Sequence, residues 1–153
     1  MDFRAKLAGW LKDDAEAVAF VDALFDVAHF WDDLIDMDVS LTPVEINSAM
    51  WKAMVTIPEN GFFTRHRHSL MPLVKLAIVN WHTANTLEMD DDDRSRHVAF
   101  VLRSSYADIL TACAFIVGGR EWALEVSTEV RREASAEGFE AYVAALRGEN
   151  RTV

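Results

Sequence analysis

Between residues 14 and 37 the chain is apolar around most of a helical circumference, and its polar side chains keep to one narrow line. Asp22, Asp26, His29, Asp33 and Asp36 follow one another at steps of four, three, four and three. At about 100° per residue such steps return almost to the starting direction, so on a helix the set falls within an arc of about 80°. Phe20, Ala23, Leu24, Phe25, Val27, Ala28, Phe30, Trp31, Leu34 and Ile35 occupy the rest of the circumference. An ordinary surface helix has the reverse proportion, so this one is expected at the centre of a helical bundle. Its acidic line is then either a solvated face or a seam that meets a counter-charge, because carboxylates stacked on one face repel each other until cations arrive.

The rest of the sequence favours the same all-α class. Thr42-Pro43-Val44-Glu45 and Asp13-Asp14-Ala15-Glu16 both have capping-box spacing, the former with Pro at the first helical position, and they start helices over 43–56 and 14–37. A shorter helix is expected over 1–11. Pro58, Asn60 and Gly61 mark a break, 61–69 reads as an aromatic and basic connector, and 70–89 is apolar at helical spacing. Asp90 to Asp93 form an acidic run that caps a fourth helix, expected from about Asp92 until Gly118-Gly119 stops it. An amphipathic segment follows over 120–133, Gly138 interrupts it, and 139–146 resumes before a polar tail at 147–153. The reading is a single-domain helical bundle of about five to seven helices over residues 1–153.

Composition narrows the function classes. A 51% hydrophobic content with 6 Gly and 3 Pro argues against disorder and against a turn-rich β fold. A formal net charge of -10 repels bare nucleic acid and anionic membrane surfaces, and makes metal cations or a basic partner the natural companions. The single Cys113 leaves no intrachain disulfide, which points to a reducing, cytoplasmic setting. No signal peptide is expected, and no membrane span, because the most apolar stretch, 107–118, is too short and contains Asp108. Five Trp and nine Phe imply a ring-rich core, a greasy cavity or an oligomer interface, with a symmetric homodimer as the default assembly.

The polar positions carry the chemistry. On the fourth helix His97, Ser104, Asp108 and Thr111 share a stripe, and Asp108, set among apolar residues, needs a partner: Arg103, His82 or a shared cation. That set reads equally as an internal salt-bridge network or as part of a site. Arg65, His66, Arg67 and His68 form a basic cluster, either a solvated connector or, through Arg65 and Arg67 with Arg103, a clamp for phosphate.

The segment His29-Phe30-Trp31-Asp32-Asp33-Leu34-Ile35-Asp36-Met37-Asp38 carries a DDxxD pattern preceded by aromatics. It resembles the first aspartate-rich motif of class I terpenoid synthases, all-helical enzymes in which such residues hold Mg2+ ions that grip a substrate diphosphate. The resemblance covers about ten residues and implies Asp32, Asp33 and Asp36 as ligands of Mg2+ or Mn2+, with Asp26 beside them and Asp22 and His29 in support. Oxygen donors one turn apart would neutralise and pull on a diphosphate leaving group. The family's second metal motif has its nearest match in Asn80, Ala84 and Glu88, where Ala84 offers no oxygen; Asn85, Ser104, Asp108 and Thr111 are the remaining candidates. The chain is also about half the length of the family's usual catalytic domain. Two functional expectations follow: a divalent-metal-dependent helical protein that binds or processes a small diphosphate compound, terpenoid-synthase-like or of the all-α nucleotide pyrophosphohydrolase type, or a non-enzymatic, oligomeric interaction module with an acidic docking seam.

Overall fold

Local capping rules decide where the helices of this protein start. In the computed structural model, which describes residues 3–37 and 39–149, Thr42 accepts from the Glu45 backbone while the Glu45 carboxylate accepts from the Thr42 backbone, and Pro43 opens the helix as anticipated. At the other expected capping box the start slips by one residue. Asp13 adopts a left-handed conformation at φ 59°, and Asp14 accepts from Ala17 N at 3.0 Å in its place. Glu16 is thereby released from the cap and reaches Arg65.

The helices are α1 (Phe3–Trp10), α2 (Ala15–Asp36), α3 (Pro43–Trp51), α4 (Ile57–Glu59), α5 (Gly61–Arg65), α6 (Arg67–Glu88), α7 (Asp93–Arg103), α8 (Tyr106–Ala134) and α9 (Phe139–Glu149). Among the described residues there is no strand, and the expected all-α class holds. The chain divides into two compact units, one reaching to His68 and the other beginning at Ser69.

In the first unit α2 is the hub, packed by α1, α3, α4 and α5. The break expected around Pro58, Asn60 and Gly61 falls at Asn60, whose extended backbone separates α4 from α5, while Pro58 itself stays helical. The turn Lys52–Thr56 between α3 and α4 is a π-turn, in which Ile57 N bonds to Lys52 O, five residues back. Proline has no N–H and its ring crowds the carbonyl four residues earlier, so a locally wider helix lets Pro58 be carried on to Glu59. The supposed connector at 61–69 is helical too, with Asn60 capping α5 through Phe63 N at 2.9 Å. Phe62 and Phe63 are core residues, and Phe63 stacks on Phe20 with ring centroids 5.1 Å apart. Leu7, Trp10, Leu11, Val21 and Phe25 complete this core, each large side chain contributing about 1.5–3 kcal/mol through burial.

The second unit corrects the expected fourth helix, which is two helices. Ser104 and Ser105 turn the chain between α7 and α8, with Ser105 N bonded to Leu102 O at 3.1 Å and its hydroxyl to the same carbonyl at 2.7 Å. Gly119, at φ 79° and ψ -174°, breaks α8 where the sequence indicates a stop, although helix resumes at once. Ile109, Leu110, Cys113 and Ala114 before the break and Val126 and Val130 after it are buried. Burial pushes the Cys113 thiol up to about 12, so it behaves as a small apolar side chain. By length and composition alone Asp93–Ala134 is long enough and apolar enough to cross a membrane, but the breaks leave 106–118 as its longest apolar helical run, short of the ~20 residues a bilayer requires. In α9, Phe139 stacks on His97 of α7 at 3.6 Å; Arg147 and Glu149, expected in a polar tail, belong to this helix, and 150–153 lie outside the described residues.

Two glycine substitutions separate backbone strain from packing. Neither Gly9 nor Gly119 has an atom within 4 Å of an added Cβ, but only Gly119 has a backbone reserved for glycine. In denaturant titrations Gly119→Ala is expected to lose about 1–3 kcal/mol, whereas Gly9→Ala, at an exposed position of α1, gains about 0.5 kcal/mol.

Candidate functional site

The acidic line on α2 forms as the spacing indicates, and the chain supplies its own counter-charges at one end. Arg4 of α1 places Nη1 3.1 Å from Asp22 Oδ1, and its Nη2 bonds Asp26 Oδ1. Lys52, at the π-turn, donates to the other Asp26 oxygen, Oδ2. Asp26, expected as a metal ligand, therefore has both oxygens engaged by cations. Partial burial pushes its carboxyl up, but hydrogen bonds from Lys52 and Arg4, with their positive charge, outweigh that and hold it below the usual carboxylate range. His29, expected in support, has Nδ1 2.9 Å from the Phe25 carbonyl oxygen, an interaction inside its own helix.

The DDxxD residues lie at the other end of the line. Asp32 and Asp33 are half-buried and Asp36 is exposed in the last turn of α2, which contains no basic residue and ends at Met37 in a left-handed conformation. Asp38 lies outside the described residues. Among the described residues no group of three or more His, Cys, Asp or Glu is placed to hold a metal ion.

The second-helix candidates belong to the second unit, and there the structure joins some of them in a different role. Arg103 donates through Nε to Glu88 Oε1 at 2.8 Å and through Nη2 to Asn85 Oδ1 at 2.8 Å and to Glu88 Oε2. Tyr142 of α9 donates to Glu88 Oε1, and the Arg103 guanidinium lies 5.5 Å from the Trp81 ring centre. Burial raises the Tyr142 phenol, and its bond to Glu88 with the nearby negative charge raises it further. Glu88 and Asn85 thus spend their oxygens on Arg103, and Arg103, expected to hold phosphate, closes an internal pair.

The remaining candidates are separated by the break at Ser104–Ser105. Asp108 is exposed rather than buried, and its partner is Arg131, at 2.5 Å, in place of Arg103, His82 or a cation. Arg131 also donates to the carbonyl and hydroxyl oxygens of Ser104, both at 3.2 Å. Thr111 donates to Ala107 O at 2.7 Å within its helix, and Asn80 donates to Ser105 Oγ at 3.0 Å. The acidic run acts as the expected cap: Asp92 accepts from Ser95 N, while Asp91 and Asp93 pair with Arg96. Of the two basic residues expected to clamp phosphate from the connector, Arg65 is bound to Glu16 at 2.6 Å and Arg67 is exposed.

What the sequence pattern did not reveal is a large apolar surface along the first unit. Helix α3 buries only Ala49, while Val44 is 77% exposed, Trp51 64% and Met50 52%; Met54 in the π-turn is 68% exposed. Leu34, Ile35 and Met37, at the end of α2, are exposed as well. The Lys52–Asp26 contact ties the π-turn to α2. The only signal for this surface in the sequence is an excess of apolar residues over what one narrow contact on α2 requires.

No family model, curated protein or solved structure matches the chain.

A carboxylate held below its ordinary range stabilises the fold above that range and ceases to do so as acid protonates it. Asp26→Asn is therefore expected to cost about 1 kcal/mol near pH 7, where Arg4 and Lys52 lose their shared partner. The difference from the natural chain should shrink as the pH falls below about 4, and thermal unfolding across pH 2 to 7 measures it. In the second unit Arg103→Ala leaves Glu88, whose side chain is only 10% exposed, without its charge partner. A larger loss of roughly 3 kcal/mol is expected there by denaturant unfolding.

Proposed function

We propose that this chain is a helical docking module that works through the face formed by the end of α2, by α3 and by the π-turn. The observation that carries this reading is the exposure of Val44, Met50, Trp51 and Met54 on a segment that buries little else. Several large apolar side chains exposed along one short helical segment favour an interaction site, where Trp and Met act as anchors. The capping box and the π-turn support it, since they hold the segment helical without needing that surface for packing.

The metal-dependent reading has one observation in its favour. Asp32, Asp33 and Asp36 crowd the C-terminal end of α2, where the helix dipole is itself negative and no basic side chain of the last turn offsets it. A divalent ion would relieve that crowding, and with a diphosphate it would give the chemistry that the DDxxD resemblance implies. Asp22 and Asp26 are already served by Arg4 and Lys52, so this reading rests on the three residues of the motif.

One set of variants tests both. A double variant, Trp51→Lys with Met54→Lys, alters only exposed side chains, so its Tm should stay within about 2 °C of the natural chain. Its binding of an apolar fluorescent dye under native conditions should fall. A Tm loss above about 5 °C would mean that the face packs within the fold, and the docking reading would be lost. Mg2+ with pyrophosphate should leave Tm unchanged if docking is the whole function. A rise of several degrees that disappears in Asp33→Asn with Asp36→Asn would favour the metal site instead.

A further inference from the structure

We propose that the occupant of the docking face is a second copy of this chain, paired through α3 across a two-fold axis; this rests on the docking reading and specifies its partner. At about 100° per residue Pro43, Val44, Asn47, Met50 and Trp51 fall within an arc of about 120° on α3. Ala49, the residue that α3 buries, lies on the opposite side of the helix, as does Lys52, which reaches Asp26 of α2. The arc therefore points away from α2, and Val44, Met50 and Trp51 within it are more than half exposed. Met54, three residues after Trp51, prolongs the stripe into the π-turn.

Charge decides which kind of partner suits this stripe. Between residues 43 and 56 the chain has two charged side chains, Glu45 and Lys52, both outside the arc. The Glu45 carboxylate accepts from the backbone and hydroxyl of Thr42, and Lys52 donates to Asp26. A chain of formal net charge -10 repels its own copies at long range, but two copies brought together along this stripe set no charge on it against its like. A partner selected by charge finds no countercharge there.

The order of the side chains is also self-complementary. Val44 and Met54 lie five residues to either side of Ala49, and Asn47 and Trp51 lie two residues to either side. With two copies of α3 antiparallel about an axis level with Ala49, Val44 meets Met54 of the second copy and Asn47 meets Trp51 of the second copy, each pair occurring twice. Trp51 brings a large ring and an indole N–H that donates to the Asn47 side-chain oxygen, so the amide sets the register while the apolar side chains supply the affinity. A pair of helices about three turns long is at the low end of interface areas, so dissociation belongs in the micromolar range.

Sedimentation equilibrium of the full chain from about 1 to 300 µM should follow a monomer–dimer equilibrium. Trp51→Ala with Met54→Ala should weaken the dimer at least about 30-fold. The pairing of positions 47 and 51 has its own test: Asn47→Asp and Trp51→Lys should each weaken self-association, and an equimolar mixture of the two variants should associate at least about fivefold more tightly than either alone, because a carboxylate and an ammonium then face each other on one side of each heterodimer. A dimer that these substitutions leave unchanged, or a mixture that gains nothing, overturns the pairing through α3. If the natural chain stays monomeric throughout while Trp51→Lys with Met54→Lys still lowers dye binding at an unchanged Tm, the second-copy inference fails and docking stands with another protein as occupant. A Tm loss above about 5 °C in that variant, or dye binding that does not fall, ends both.

Discussion

Asp26 is the point at which three segments of the first unit are tied together. Its two oxygens take Arg4 from α1 and Lys52 from the π-turn, while its backbone belongs to α2. The apolar contacts around α2, from Phe20, Val21 and Phe25, supply most of the free energy, but burial is not directional and would tolerate small slides of one helix along another. A carboxylate gripped from two sides sets the level at which α1 and the segment after α3 lie against α2. The ion pairs thus decide which parts of α1 and of the segment after α3 meet α2.

The same division of labour recurs in the second unit with other residues. Arg103, Glu88, Asn85 and Tyr142 come from α7, α6 and α9 and form one hydrogen-bonded cluster, so three helices share a single satisfied charge pair. Partly buried charges are tolerable only when each oxygen and N–H has a partner, and here Glu88 uses both oxygens. Such a pair fixes geometry more than it adds stability. The ring contacts of Phe139 with His97 and Phe100, which seat α9 on α7, do the packing.

What was readable in the sequence was local. The Thr42 box, the Asp92 cap, the stop at Gly119 and the 3-4 spacing of the aspartates depend on neighbours within a few residues, and each has its expected form. What was unreadable depended on distant partners or on breaks made by ordinary residues. Ser104 and Ser105 end a helix without Gly or Pro, because their hydroxyls bond back to Val101 and Leu102 carbonyls and compete with the helix ladder. Pro58 itself stays helical because a π-turn absorbs it, and the break expected around it falls at Asn60. The partners of Asp26 and Asp108 lie 22 to 26 and 23 residues away, distances over which sequence spacing says nothing about contact. Candidate site residues were therefore identified as polar groups needing partners, while the partners assigned to them were mostly replaced by arginine and lysine from the chain itself.

The apolar face escaped sequence reading for a related reason. Hydrophobic periodicity reports which side of a helix is greasy, but not whether another part of the chain covers it. Helix α3 has apolar residues on more sides than α2 can enclose, and an excess of this kind reads as core until the packing is seen. The exposure of α3 is not a sign of a loose segment. The segment is held helical by a full capping box and a proline at its start, so its shape does not depend on the missing contact. The acidic line that first marks this chain as unusual is in part a device for building the fold, because Asp22 and Asp26 along it take Arg4 and Lys52 from other segments as partners.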